Sequence, residues 1–147
     1  MDKDLSLDEI DELYSQGYTC AQIVLAQAGE KMGLDRSTAL KMACPFACGM
    51  FHGETCGCVA AALMVLGLKY GQDQPYDLAS RRLVLQKKTE FENKFKEAHG
   101  SLICRDLLGL DVHKPSDMGK IAEEGLQEKV CYELIWDTNR ILNEMIG

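Results

Sequence analysis

Apolar residues recur along this chain at the three- and four-residue spacing of helices, and strand-like alternation is almost absent. Capping signals cut the pattern into segments. Ser6-Leu7-Asp8-Glu9 is a capping-box pattern and predicts a short amphipathic helix closed by Gly17. Thr19-Cys20-Ala21-Gln22 repeats that signature and starts a second helix running to about Gly33. Asp35 caps a third, which Pro45 ends. The stretch from Pro45 to Glu54, with its glycines and His52, reads as an irregular loop. Thr55 then caps a strongly apolar helix from Cys56 to Tyr70, closed by Gly71.

After a polar connection containing Pro75, a long helix is expected from about Tyr76 to His99, with an apolar stripe of Leu78, Val84, Phe91 and Phe95. Gly100 ends it, Ser101 starts a short helix through Leu108, and Gly109 to Ser116 is a loop. One or two helices fill the stretch between Met118 and Ile146. The expected fold is an all-α, single-domain bundle of about six to eight helices spanning residues 1–147, with no repeat, linker or low-complexity segment to divide it.

Composition narrows the function classes. At 147 residues and 46% hydrophobic content, one domain can bury a proper core without disulfides. The net charge of −7 argues against nucleic-acid binding. The basic run Arg81, Arg82, Lys87 and Lys88 shares its helix with Glu90, Glu92 and Glu97, so it reads as a solvated face. The acidic start, Met1-Asp2-Lys3-Asp4, has neither the basic nor the apolar region of a secretory leader. The longest apolar run, Val59 to Leu68, is too short for a membrane span. A cytoplasmic protein with reduced thiols is expected.

Seven cysteines then carry the candidate chemistry. Cys20 and Cys56 each follow a threonine at an expected helix start, and Cys104 comes three residues after Ser101. A thiol in the first turn of a helix meets the positive end of the macrodipole and unpaired N–H groups, which favour the thiolate. There is no close Cys-x-x-Cys pair, which disfavours a thioredoxin-type site and a zinc ribbon, and no Cys-x-x-Cys-His for covalent haem. Gaps of 36, 48 and 27 residues separate Cys20, Cys56, Cys104 and Cys131. Each gap allows a helix and its return, so the four thiols can converge at one end of a bundle. Four convergent thiolates suit an iron–sulfur cluster or zinc, and two suit a disulfide couple.

These segments together resemble a family named for its cysteines, the C_GCAxxG_C_C proteins described as redox-active. The resemblance runs from Gly17-Tyr18-Thr19-Cys20-Ala21-Gln22 through Gly53-Glu54-Thr55-Cys56-Gly57 and Ser101-Leu102-Ile103-Cys104 to Cys131, and includes the Ala62 to Gly67 core segment. It places the four family cysteines on Cys20, Cys56, Cys104 and Cys131. The chain departs from the pattern at Cys58 and Ala61, and a second register, Gly57-Cys58-Val59-Ala60-Ala61-Ala62, makes Cys58 the motif cysteine. Cys44, Cys48 and Cys58 are further candidate metal ligands. The resemblance implies redox activity, with an iron–sulfur cluster as one of the cofactors it allows, zinc or none being the alternatives; a redox partner protein is expected for electron transfer.

Two other readings stay open. One is a metal-free thiol–disulfide oxidoreductase with Cys20 or Cys56 as nucleophile. The other is a module holding zinc or copper for structure or metal handling. Glu54 beside Cys56 is read as solvated more readily than as a proton donor, and His52 as structural or exposed more readily than as a ligand. His99 is a helix-end residue and His113 a loop residue. An apolar face of the bundle would permit a homodimer.

Overall fold

The computed structural model describes residues 5–146. The start from Met1 to Asp4, on which the expectation of no leader rests, lies outside the described residues, as does Gly147. Among the described residues there are eight α-helices and no named strand. The expected all-α bundle is what forms.

Local signals account for most of the boundaries. In α1 (Leu7–Ser15), Ser6 Oγ accepts from the Glu9 amide at 3.1 Å while the Ser6 amide donates to Glu9 Oε1 at 3.0 Å. In α2 (Cys20–Glu30) the Thr19 amide donates to Gln22 Oε1 at 3.0 Å. Asp35 caps α3 (Arg36–Ala43) through the Thr38 amide at 3.0 Å, and Pro45 falls in a short 3-10 turn, Cys44–Phe46. The long α5 (Leu78–His99) starts two residues later than expected because Tyr76 has φ +59°, which a right-handed helix excludes, and Asp77 is the cap. The helix α7 (Pro115–Glu123) starts earlier than expected, with Pro115 at a position whose missing N–H costs no hydrogen bond. A π-type turn, Gln127–Cys131, leads into α8 (Tyr132–Ile146).

The core is centred on α4 (Gly57–Tyr70), whose Val59, Ala61, Ala62, Val65 and Leu66 are all fully buried. Small residues on α4 and on α2, such as Ala61, Ala62, Ala21 and Ala26, let these helices lie close together, and α5 and α8 cover the other sides. Phe91 and Phe95 of α5 are buried there with rings 5.9 Å apart. Of the expected stripe on α5, Phe91 and Phe95 are buried and Val84 is half-buried, while Leu78 is exposed. The basic run on the same helix is laced by Lys88–Glu92 at 2.9 Å, next to Lys94–Glu90 at 3.7 Å, as a solvated face requires.

A second, smaller apolar cluster forms around Cys104 and Leu108 of α6 (Cys104–Leu108) and Ile121 of α7, with Cys131 packed against it. The seam between the two clusters matters most for function, because the cysteines gather there.

Candidate functional site

The connection between α3 and α4 is the least regular part of the fold. Four successive residues, Cys48, Gly49, Met50 and Phe51, have φ of 52, 62, 61 and 59°. That is one left-handed turn, and three of its residues carry a Cβ that disfavours it by about 1–2 kcal/mol each. Such strain persists only where the surroundings impose it. Here they do: a Cβ on Gly49 would lie 2.8 Å from Cys104 Cβ and would strike the backbone of Glu54. The turn closes through the Glu54 amide, which donates to Gly49 O at 2.9 Å.

The chain then passes through a single antiparallel bridge between Thr55 and Ile103. The Cys56 amide donates to Leu102 O at 2.8 Å and the Cys104 amide to Glu54 O at 2.6 Å. Two cysteines 48 residues apart are thereby pinned on either side of one bridge. This corrects two expected boundaries. Thr55 is not the cap of α4; Cys56 is, with φ −53° and ψ 137°. Likewise α6 is capped by Ile103, while Ser101 Oγ accepts from the Ile103 amide at 3.0 Å.

The consequence for Cys56 and Cys58 is direct. A two-residue step within a helix sends side chains to different faces, but Cys56 lies outside the helix in extended backbone. Both thiols therefore reach the same cavity. That cavity, of about 60 Å³, is lined by Cys20, Cys48, Cys56, Cys58, Cys104 and Cys131. Its other polar side chains are Tyr14, Thr19 and Gln127.

Cys20 sits at the first position of α2 and is buried. Its sulfur lies over Gly57, where a Cβ would stand 2.7 Å from it. A hydrogen bond from the Cys58 thiol holds Cys20 below the ordinary thiol value, aided by the backbone amides of Cys48, Ala21 and Cys20 against the opposing effect of burial. Cys58 is pushed well above that value, first by the same bond to Cys20 and then by its bond to Cys56. Of the two thiols, Cys20 is therefore the one that ionises first.

The expectation of thiolates at helix starts does not extend to Cys104. Burial drives it well above the ordinary range, and the charge of Cys56 and Cys20 adds to this. A five-residue helix has too little dipole to offset burial. Burial also pushes Cys48 up to about 11, and it raises Cys131 and the phenol of Tyr14 further.

The remaining candidates separate cleanly. Cys44 is exposed and does not line the cavity. His52 is exposed, and its ring meets that of His113 at 5.3 Å away from the thiols. Glu54 is exposed and pairs with Arg105 at 3.7 Å; its backbone, rather than its carboxylate, serves the site. His99, at the end of α5, also bonds Asp137 at 2.7 Å. Sequence reading missed Tyr14 and Gln127, because nothing in a helical pattern marks which polar position faces a thiol cavity.

The donor set is sulfur alone, the ligand type that soft metal centres use. Six thiols face the cavity, with no carboxylate or imidazole on its lining. Among the described residues no three His, Cys, Asp or Glu side chains are set to hold a metal ion.

An all-α fold with a buried cluster of thiols at the seam between two apolar clusters defines a small cysteine-site protein. The chain belongs to the family described as "Putative redox-active protein (C_GCAxxG_C_C)", whose model matches residues 18–145. No curated protein and no solved structure matches it. Among the described residues no helix is long and apolar enough to cross a membrane.

Proposed function

We propose that the thiol cavity is the redox centre and that it holds an iron–sulfur cluster for electron transfer or redox sensing. Cys20, Cys56, Cys104 and Cys131 would hold the group, with Cys48 and Cys58 beside them. When bound, such a cluster supplies one-electron chemistry. The observation that carries the reading is the meeting of six cysteines, from segments far apart in sequence, on one small cavity. The chain's own contributions are burial, which excludes water from the sulfurs, and the backbone amides at Cys20, which stabilise negative charge on it. A reducing compartment such as the cytoplasm keeps the thiols free for loading. Electrons would pass to a partner protein. The exposed Leu78 and Leu85, two turns apart on one side of α5, mark the face through which we read a homodimer, a state that sedimentation would detect.

The test is a visible spectrum with iron, sulfide and zinc analysis on protein purified without oxygen. Charge-transfer bands with matching iron and sulfide support the reading. A colourless protein carrying zinc replaces it with a structural or metal-handling role.

One observation favours a second reading, the hydrogen bond between Cys20 and Cys58. As a metal-free couple, these two thiols would lose two protons and two electrons to form a disulfide, while an acceptor disulfide becomes two thiols. A colourless, metal-free protein whose Cys20 and Cys58 link reversibly would support it. Equal, slow alkylation of all cysteines would count against it.

A further inference from the structure

The segment matched by the family begins at residue 18, so α1 lies outside it. Yet α1 contributes Tyr14 to the lining of the thiol cavity. The ring of Tyr14 packs on that of Tyr132, with centroids 5.0 Å apart and planes tilted by 49°. Tyr132 directly follows Cys131, and its hydroxyl donates to Asp11 Oδ1 at 2.8 Å, back on α1. Asp11 and Tyr14 are one helical turn apart, so both clasp the residue next to a cavity thiol. Thr19, also on the lining, already donates its hydroxyl to Gln22 Oε1 at 3.2 Å.

From this geometry we infer that Tyr14 is a positioning residue of the redox site, which donates its phenolic O–H to the sulfur centre and makes the reduced form easier to reach. A phenol with an unperturbed pKa of about 10 is protonated at neutral pH and is an O–H donor there. A reduced iron–sulfur cluster carries one more negative charge than the oxidised one, and a thiolate carries more than a disulfide sulfur. A donor aimed at sulfur stabilises the reduced state and raises the potential, the more so in an enclosed apolar cavity. The Tyr132–Asp11 clasp holds the donor in place.

This inference rests on the cavity being the redox centre, and its test separates the two claims. Tyr14→Phe removes one oxygen and keeps the ring against Tyr132. Midpoint potentials of the wild-type chain and Tyr14→Phe are compared by redox titration. The couple is the cluster where iron and sulfide load, and the thiol–disulfide pair against dithiothreitol where they do not. The expected result is a more negative midpoint in Tyr14→Phe, with metal content and far-UV circular dichroism unchanged. Tyr132→Phe, which cuts only the bond to Asp11, is expected to shift the midpoint less, in the same direction. Unchanged midpoints in both variants overturn the role of Tyr14. A wild-type chain that takes up no iron and sulfide overturns the cluster reading instead, and Tyr14 is then judged on the thiol couple.

Discussion

The sulfur of Cys20 rests on the Cα of Gly57, so close that a Cβ there would come within 2.7 Å of it. The same Cβ would stand 2.9 Å from the carbonyl of Phe46 and 3.2 Å from Ala21. The glycine between Cys56 and Cys58 is therefore the seat of a third thiol, and α2 and α4 meet through that contact.

Gly57→Ala should destabilise the protein by about 1–3 kcal/mol, because the backbone carbonyl and buried thiol have little room to give. Gly67 in the same helix has nothing within 4 Å of an added Cβ outside the helix's own backbone. Gly67→Ala should stabilise by about 0.5–1 kcal/mol through reduced chain entropy. Urea unfolding of the two variants checks the opposite signs, and equal effects would refute the seat.

Alkaline pH should weaken the reduced, metal-free fold. Cys48 is raised to about 11 by burial, and Cys58, Cys104 and Cys131 are raised as well. In the unfolded chain these thiols ionise near ~8.5. The unfolded state therefore binds fewer protons above that pH, and stability falls as pH rises from about 8.5 through 11. Cys20, shifted the other way, opposes this alone. Urea midpoints at pH 7.5, 9 and 10.5 should decline in that order.

Thiol reactivity should divide seven cysteines into one and six. Cys44 is exposed and should be alkylated first in the native protein, as read by peptide mass spectrometry. Cys44→Ser should leave iron and sulfide content at the wild-type level. Cys→Ala at 20, 56, 104 or 131 should each abolish it, and retention in all four would remove these residues as ligands.

The bundle itself should be most sensitive at the inner face of α5. Phe91 and Phe95 are fully buried, and either Phe→Ala change should cost about 3–5 kcal/mol. Leu85→Ala, at an exposed position of the same helix, should change stability by less than about 0.5 kcal/mol in the monomer. Thermal unfolding would distinguish these cases.

Helix identity, most of the caps and the all-α class were legible in the residues, because capping and periodicity are local properties. Ser6 with Glu9, Thr19 with Gln22, and Asp35 with Thr38 bond as their spacing implies. Thr55 and Ser101 misled for a physical reason: their segments pair with each other across the fold, and that bridge displaces each cap toward Cys56 and Ile103. The inner half of the α5 stripe could be read, but not where the bundle stops covering it.

The sequence by itself determined that the chain is helical, that it carries many thiols, and that Cys20 opens a helix. Only the tertiary structure decided which thiols meet. The left-handed turn at Cys48, the bridge that sets Cys56 beside Cys104, the extended cap that turns Cys56 and Cys58 the same way, and the approach of Tyr14 all depend on contacts between distant segments. Periodicity reports which side of a helix is apolar, not what stands opposite it. For that reason Cys44 and Cys48, four residues apart, could not be told apart beforehand, although one faces solvent and the other the cavity.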